Sequence, residues 1–311
     1  MEHESVMLKA AVDGLQVKPD GIYVDGTLGR GGHSAAILAK LTTGRLYAFD
    51  LDETALVESR PRLAAVSDRF TLFHANFKDM RDVMGQADVT AVDGILLDLG
   101  VSSPQFDDPA RGFSYRAEAR LDMRMDQSQP LDAYAIVNQW PAERLAAIFR
   151  EYGEEPFAGP IARHIVSRRQ QGPIVTTADL VEVIRQSLPD RVLSRKGHPA
   201  KQVFQALRIA VNDEMGNLGQ ALEQGLTLLA PSGRMAVISF QSLEDGMVKA
   251  TFRKASQPPY IDRHIPLRQD EIPQPDFRLI TAKPIMADSH EQEANHRSHS
   301  ARLRIIERRD V

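Results

Sequence analysis

The sequence contains no cysteine among its 311 residues, so it can form neither disulfides nor thiolate metal sites. This absence suits a reducing compartment, and we expect a cytoplasmic protein. It also lacks any apolar run of the roughly 18 residues that a membrane-spanning helix needs, and residues 1–5 lack the basic start and apolar core of a signal peptide. The histidines show no zinc-site spacing, and no G-x-S-x-G nucleophile motif is present. We therefore expect no membrane association, no metal and no serine-hydrolase chemistry.

The sequence also lacks a large excess of either charge. It has 38 Lys and Arg and 42 Asp and Glu, which gives a net charge of -4. This balance argues against non-specific coating of nucleic acid, although a local basic patch can still bind RNA. With 42% hydrophobic and 26% charged residues, the composition is that of an ordinary soluble globular protein. The length predicts about two domains.

A glycine-rich turn follows the first apolar run of the chain. The run 21–24 ends at Asp25, residues 26–32 include four glycines, and a helical pattern begins near Ala35. Strand, glycine turn and helix start a βαβ unit whose backbone approaches the polar end of a ligand. The dinucleotide fingerprint G-x-G-x-x-G is incomplete, because Ser34 replaces its third glycine. No G-K-[ST] follows, which disfavours a phosphate P-loop.

Further apolar runs predict a mostly parallel sheet with strands at 46–50, 70–74 and 93–98, separated by helices. Ligands bind beyond the carboxyl ends of such strands. The residues at or just after these ends are Asp25, Asp50, Phe77 and Asp98. Asp50 ends its strand and suits ribose hydroxyls, whereas Asp52 suits a helix cap. These features predict a nucleoside cofactor, with nicotinamide still open.

Helical spacing then dominates from residue 131 to residue 212, and strand patterns return only at 233–240, 277–280 and 303–306. The simplest interpretation is a helical domain inserted into an α/β domain after its fourth strand. We place the α/β domain at 1–106 and 213–311, and the inserted helical domain at 107–212. The proline-rich and charged segment 257–276 is predicted to be a loop.

The segment after Asp98 bears on the class of enzyme. Ser103-Pro104-Gln105-Phe106 matches three of four positions in the [DNS]-P-P-[YFW] motif of enzymes that methylate exocyclic amines. In that motif a polar oxygen and a backbone carbonyl hold the amine, while an aromatic ring stacks on the base. An ordinary turn is the alternative for an isolated tetrapeptide.

Basic residues are concentrated in two segments. The first lies within the predicted insertion and the second near the C-terminus, and their members are Arg163, His164, Arg168, Arg169, Arg195, Lys196, His198 and Lys201, and His296, Arg297, His299, Arg302 and Arg304. A solvated helix face is the usual explanation for such residues. Next to a nucleoside-cofactor domain, they favour a phosphate-binding surface.

The sequence resembles the ribosomal RNA small subunit methyltransferase H family, once called MraW. The resemblance covers nearly the whole chain and is carried by residues 3–8, 25–34, 93–105, 111–114, 121–125, 152–155, 198–200, 204–209 and 239–245. Where the family usually has S-F-H-S-L-E-D-R, this chain has Gln241 and Gly246. Where the family usually has N-P-R-x-R-S-A, the chain reads N-H-R-S-H-S-A at 295–301.

This resemblance implies a Rossmann-like sheet with an inserted all-helical domain, and S-adenosylmethionine-dependent methylation of N4 of a cytidine in the decoding region of 16S ribosomal RNA. We therefore expect residues 1–106 and 213–311 to form the cofactor-binding catalytic domain, and residues 107–212 to recognise RNA. The implied cofactor contacts are Gly31, Gly32, His33, Asp50, Phe77, Asp98 and Gln105. We assign catalytic roles to Asp98, Ser103, Pro104 and Phe106, and no metal site. The expected partner is 16S ribosomal RNA within the assembled small ribosomal subunit, bound by a monomer or weak homodimer.

Two alternatives stay open at the level of sequence. A nicotinamide-dependent dehydrogenase would use the glycine turn and Asp50, but it gives no purpose to Ser103–Phe106 or to the basic insertion. A non-catalytic ribosome-assembly factor would bind RNA without turnover, and the departure at Gln241 is consistent with it.

Overall fold

A computed structural model describes residues 5–101, 103–194, 197–258 and 274–310. The chain divides into two compact units: the first comprises Met1–Gly100 and Gly216–Val311, and the second comprises Val101–Met215. Within the described residues, no helix is long and apolar enough to cross a membrane.

The first unit contains one mixed sheet. Its strands are β1 (Ile22–Asp25), β2 (Arg45–Asp50), β3 (Phe70–His74), β4 (Val92–Asp98), β5 (Leu229–Ser239), β6 (Phe277–Leu279), β7 (Ile285–Met286) and β8 (Arg302–Arg308). The order is β3-β2-β1-β4-β5-β8-β6, with β7 also paired to β8. The strands β3, β2, β1, β4 and β5 are mutually parallel, whereas β8 is antiparallel to β5. The predicted parallel sheet, completed by a C-terminal strand pair, is confirmed.

The described helices follow the chain in order. They are α1 (Leu8–Leu15), α2 (Gly32–Leu38), α3 (Glu53–Ala64), α4 (Met80–Gln86), α5 (Ser103–Asp107), α6 (Ala133–Gln139), α7 (Ala142–Glu151), α8 (Ala158–Arg168), α9 (Thr177–Gln186), α10 (Asp190–Leu193), α11 (Lys201–Asn212), α12 (Glu214–Leu228), α13 (Ser242–Ala255) and α14 (Ser289–Ala294). Short 3-10 helices occupy Phe77–Asp79, Pro109–Arg111, Arg169–Gln171 and His296–Ser300.

The sheet is buried on both faces, which explains why its strands are near-continuous apolar runs. Side chains alternate between the faces, because a strand repeats every two residues. In β4, Leu96 packs into one core cluster while Ile95 and Leu97 pack into the other. Helices cover both faces of the sheet. At its carboxyl edge, β1, β2 and β4 end in the acids Asp25, Asp50 and Asp98.

Strand β5 differs from the prediction at its start. The sequence predicted a strand at 233–240, but β5 already begins at Leu229. The pairing of these additional residues with β4 is irregular, because Val92 pairs with Leu229 whereas Gly94 pairs with Arg234. Of the loop predicted at 257–276, residues 259–273 lie outside the described residues.

The second unit consists of helices around its own core, which includes Phe149, Ile161, Leu180 and Leu207. It begins at Val101 rather than at 107, because Val101 packs against that core. Near its other end, the guanidinium of Arg208 donates two hydrogen bonds of 2.8 Å to the Glu214 carboxylate. The role of this unit in RNA recognition stays a prediction.

Candidate functional site

The candidate site lies at the carboxyl ends of β1 and β4. These strands are neighbours at the position where the strand order reverses, with β2 and β3 on one side and β5 on the other. Such a reversal leaves a crevice in an open α/β sheet, and ligands bind there. Asp25 ends β1 and Asp98 ends β4, so the topology brings these two acids to the same crevice.

The glycine turn after β1 has the conformation that its glycines permit. Gly29 and Gly31 have φ values of 49° and 71°, a left-handed region that side chains with a Cβ rarely adopt. The N–H of Leu28 donates to the carbonyl of Phe49 at 2.9 Å, which fastens the turn to β2. Helix α2 then begins at Gly32 without a side-chain cap.

Asp50 is held rigidly at the end of β2. Its Oδ2 accepts a hydrogen bond from the N–H of Gly29 at 2.8 Å, and its Oδ1 accepts one from the N–H of Asp52 at 2.9 Å. Burial raises the pKa of Asp50 to about 6, although these two hydrogen bonds oppose the rise. Asp52 accepts from the N–H of Thr54 at 3.1 Å, which confirms its predicted role as the cap of α3.

Asp98 carries the least satisfied polar atom of the crevice. Its N–H donates to Thr27 Oγ1 at 2.7 Å, and its Oδ2 lies 3.7 Å from Nδ1 of His33. Its Oδ1 is buried and has no hydrogen-bond partner among the described residues. Burial raises the pKa of Asp98 to about 6, and the nearby charge of His33 limits that rise. A buried carboxylate oxygen without a donor is costly, so it marks a position where a ligand can supply one.

Asp25 has a different role, although it ends a strand in the same crevice. Its side chain is fully buried. Its Oδ1 accepts from the N–H of Thr27 at 3.0 Å, and its Oδ2 accepts from the hydroxyl of Ser34 at 2.7 Å. Burial raises its pKa. Because both oxygens are satisfied and the side chain, unlike that of Asp50, has no exposed surface, Asp25 organises the glycine turn and leaves ligand contacts to its neighbours.

Phe77 follows β3 and starts the 3-10 helix Phe77–Asp79. A Cβ added to Gly26, just after β1, would lie 3.1 Å from Cβ of Phe77 and would overlap the side chain of Leu97. Glycine at position 26 thus lets Phe77 approach the end of β1. The structure thereby brings Phe77, which the sequence assigned to the cofactor, close to the end of β1.

The remaining predicted residues belong to the second unit. Ser103, Pro104, Gln105 and Phe106 lie on α5. Gln105 is buried, and Phe106 is 37% exposed. Ser102 and the side chains of Ser103 and Pro104 lie outside the described part of the structure. Their assignment to a base pocket stays a prediction.

One contact in the crevice was absent from the sequence analysis. Nε2 of His33 lies 3.0 Å from the carbonyl oxygen of Val6, so the segment before α1 reaches the glycine turn. His33 was predicted to contact the cofactor, but no local pattern connects it to Val6. The only sequence signal was that residues 3–8 belong to the family resemblance.

Several residues of the two basic clusters are engaged within the protein. Arg168 and Arg169 donate to the carbonyls of Gly172 and Val137, at 3.2 and 2.8 Å. Both Arg302 and Arg304 pair with Asp245, at 3.2 and 2.7 Å. Four arginines of the predicted phosphate-binding surface therefore make contacts within the protein.

Other arginines of the second unit are available for a partner. Arg150 and Arg163 are exposed and line a groove of about 340 Å³ with Ala142, Glu143, Ala146 and Gly159. Neither arginine makes an ion pair or hydrogen bond to any described residue. Among the described residues, no cluster of His, Asp or Glu could hold a metal ion.

Comparison with known proteins gives a consistent result over the whole chain. Residues 1–309 match the model of a family described as the MraW methylase family. Three similar relatives are each named ribosomal RNA small subunit methyltransferase H. They are the proteins of Oenococcus oeni (51% identical over 308 residues, 98% of each chain), Limosilactobacillus fermentum (50% over 308 residues, 98% of each chain) and Exiguobacterium sibiricum (51% over 307 residues, 99% of this chain and 98% of the relative).

Proposed function

We propose that this chain, which belongs to the MraW methylase family, transfers a methyl group from S-adenosylmethionine to ribosomal RNA of the small subunit. The acceptor is N4 of a cytidine in the decoding region of 16S ribosomal RNA. The observation that carries the proposal is the crevice between β1 and β4, where a buried oxygen of Asp98 has no hydrogen-bond partner among the residues that the structure describes.

The residues of the crevice fit S-adenosylmethionine. Asp50 is fixed at the end of β2 by two backbone donors, which aims a carboxylate at ribose hydroxyls. Phe77 supplies a flat apolar face for adenine, and the unpartnered Oδ1 of Asp98 accepts an N–H donor from the methionine end. When bound, the cofactor supplies a sulfonium whose methyl group is electrophilic, so the chain needs no nucleophile of its own.

The task of the protein is therefore to hold the acceptor amine. The N4 lone pair of cytosine is delocalised into the ring, and it becomes available only as that conjugation is lost. Positioning the amine in line with the methyl group supplies most of the acceleration, and oxygen acceptors on its protons add electrostatic stabilisation. Ser103, Pro104 and Phe106 are our choice for the base pocket, because their sequence matches the motif of amine methylases.

The RNA must present its base outside the stack before N4 becomes reachable. Residues 101–215 contain 15 Lys and Arg and 15 Asp and Glu, so this unit has no net charge with which to coat RNA. Recognition then depends on local groups, such as Arg150 and Arg163, and on the shape of the substrate. We propose that the assembled small subunit is that substrate.

The deciding experiment is mass spectrometry of small-subunit RNA after incubation with isotope-labelled S-adenosylmethionine. We expect one labelled N4-methylcytidine in assembled subunits, less in naked RNA, and none with Asp98→Ala. A thermal-shift comparison should show stabilisation by S-adenosylhomocysteine and not by NAD. Absence of label with the unsubstituted protein on assembled subunits would overturn the proposed activity.

A non-catalytic assembly factor is the second candidate, and one observation favours it. Gln241 occupies the cap of α13, where the family usually has histidine. The neighbouring Glu244 carboxylate accepts from the N–H of Phe240 at 2.8 Å and of Gln241 at 3.2 Å, so the turn is well formed without an imidazole. RNA binding without any labelled product would identify this function.

A further inference from the structure

The segment before α1 crosses the start of α2. A Cβ on Gly32 would overlap Oγ of Ser5, so the absence of a side chain at position 32 lets the segment lie directly on the helix. Met7 then adopts a left-handed φ of 51° as α1 begins. As a result, the carbonyl oxygen of Val6 lies 3.0 Å from Nε2 of His33.

The contact with Val6 fixes the state of one ring nitrogen. A carbonyl can only accept a hydrogen bond, so Nε2 of His33 carries the hydrogen. The other nitrogen, Nδ1, faces Oδ2 of Asp98 at 3.7 Å. That separation is too long for a hydrogen bond but suits an attraction between charges. With the ring 4% exposed, its orientation is set by these two neighbours.

We propose that His33 is a positioning residue: the carbonyl of Val6 fixes its ring, and the ring attracts Oδ2 of Asp98, which leaves Oδ1 free to accept an N–H from the ammonium of the bound cofactor. This inference rests on the proposed function, because it assumes a ligand with an amino-acid end. It assigns to Val6 a role in cofactor binding that acts through His33.

Neighbouring charges act on Asp98 in opposite directions. Asp25 on β1 raises the pKa of Asp98, whereas His33 lowers it. Asp50 on β2 in turn responds to the charge of Asp25. Because the charge of His33 lowers the pKa of Asp98, replacing His33 with an uncharged side chain should make Asp98 harder to ionise.

The first test uses the ligand-free, full-length protein. Carbon-13 NMR of the aspartate carboxylates should give a titration midpoint for Asp98 of about 6, and His33→Gln should raise it by about one pH unit. His74→Gln is the matched control, because Nε2 of His74 also lies 3.0 Å from a carbonyl, that of Leu51, but is exposed. An unchanged midpoint for Asp98 in His33→Gln would overturn the inference.

A measurement without substitution covers the case in which His33→Gln does not fold. Nitrogen-15 NMR of the imidazole rings in the unsubstituted protein should show hydrogens on both ring nitrogens of His33, because only the charged ring attracts the carboxylate of Asp98. A neutral His33 ring at a pH where Asp98 is ionised would also overturn the inference.

The second test separates the ammonium from the rest of the ligand. Calorimetry near pH 6.5 should show that His33→Gln weakens S-adenosylhomocysteine roughly tenfold, while 5′-methylthioadenosine, which lacks the amino acid, binds as before. Equal losses for both ligands would refute the assignment to the ammonium. If the unsubstituted protein binds neither ligand while the Asp98 midpoint still responds to His33, the proposed function fails and the His33–Asp98 pair stands.

Discussion

The backbone N–H of Gly29 donates a 2.8 Å hydrogen bond to Oδ2 of Asp50. This contact ties the glycine turn after β1 to the end of β2, so the carboxylate is oriented before any ligand arrives. A ligand that binds Asp50 does not have to immobilise its side chain, so the entropic cost of binding is smaller.

Asp50→Ala should therefore weaken S-adenosylhomocysteine by roughly 10- to 100-fold, because a hydrogen bond to a charged group contributes about 1.5–3 kcal/mol. Isothermal titration calorimetry measures the change. Asp52→Ala is the control, since Asp52 caps α3 and its loss should lower the melting temperature more than the affinity. Unchanged affinity in Asp50→Ala would remove this residue from the site.

Cofactor affinity should depend on pH in one direction. The pKa values of Asp50 and Asp98 are both raised to about 6 in the ligand-free protein, and the ligand's donors select the ionised forms. Affinity should be constant above about pH 7 and should fall as the pH drops through 6, by up to about tenfold per pH unit for each group. Calorimetry from pH 5 to 8 tests this, and Asp50→Asn should make the dependence shallower. A flat profile would mean that neither acid contacts the ligand.

Asp98→Asn should stabilise the ligand-free protein while abolishing turnover. Because burial raises the folded-state pKa of Asp98, its stability contribution is present at low pH and is lost as the pH rises from about 4 to 6. The amide avoids that loss, so the free energy of unfolding at pH 8 should rise by about 1–3 kcal/mol, with little change at pH 4.

Denaturant unfolding at the two pH values measures this effect. Asp93→Asn, at the start of the same strand, should instead lower stability slightly, because it breaks a 2.8 Å ion pair with Lys18. A loss of stability at pH 8 in Asp98→Asn would contradict the prediction.

The groove that contains Arg150 and Arg163 should contribute to RNA binding. Replacing both with alanine should reduce the salt dependence of RNA affinity by about two phosphate contacts, and cofactor affinity should not change. Filter binding to small-subunit RNA at several salt concentrations measures the slope. The pair Arg60→Ala and Arg253→Ala, which removes the same charge from the first unit, is the control. Equal slopes for the two double variants would show that the groove has no special role.

Local periodicity was enough to predict the sheet and the acids at its edge. The runs that end in Asp25, Asp50 and Asp98 are short and almost wholly apolar, as buried parallel strands require. Their carboxyl ends share one edge in any parallel sheet, so a common location for these acids followed before the strand order was known. The helices of the second unit were equally predictable, because helical spacing dominates from 131 to 212.

Features that depend on distant partners could not be predicted in this way. The irregular pairing of β5 with β4 joins Val92 to Leu229, and no local pattern encodes a register between strands so far apart in sequence. The contact between Val6 and His33 similarly joins a loop to a helix. Asp25 and Asp98 look alike in sequence, yet only Asp25 has both of its oxygens satisfied by the protein, and that distinction needs coordinates.

The position of the helical insertion affects how the protein is made. Strand β4 ends at Asp98, but Asp98 pairs with Ile238 of β5, which a ribosome adds only after the whole second unit. Strand β5 in turn pairs with β8 near the C-terminus. The nascent chain therefore exposes an unpaired edge of β4 while residues 99–228 are made, and pairings at such long separations are slow to form. The sheet beside the crevice is complete only once β8, at Arg302–Arg308, has been made.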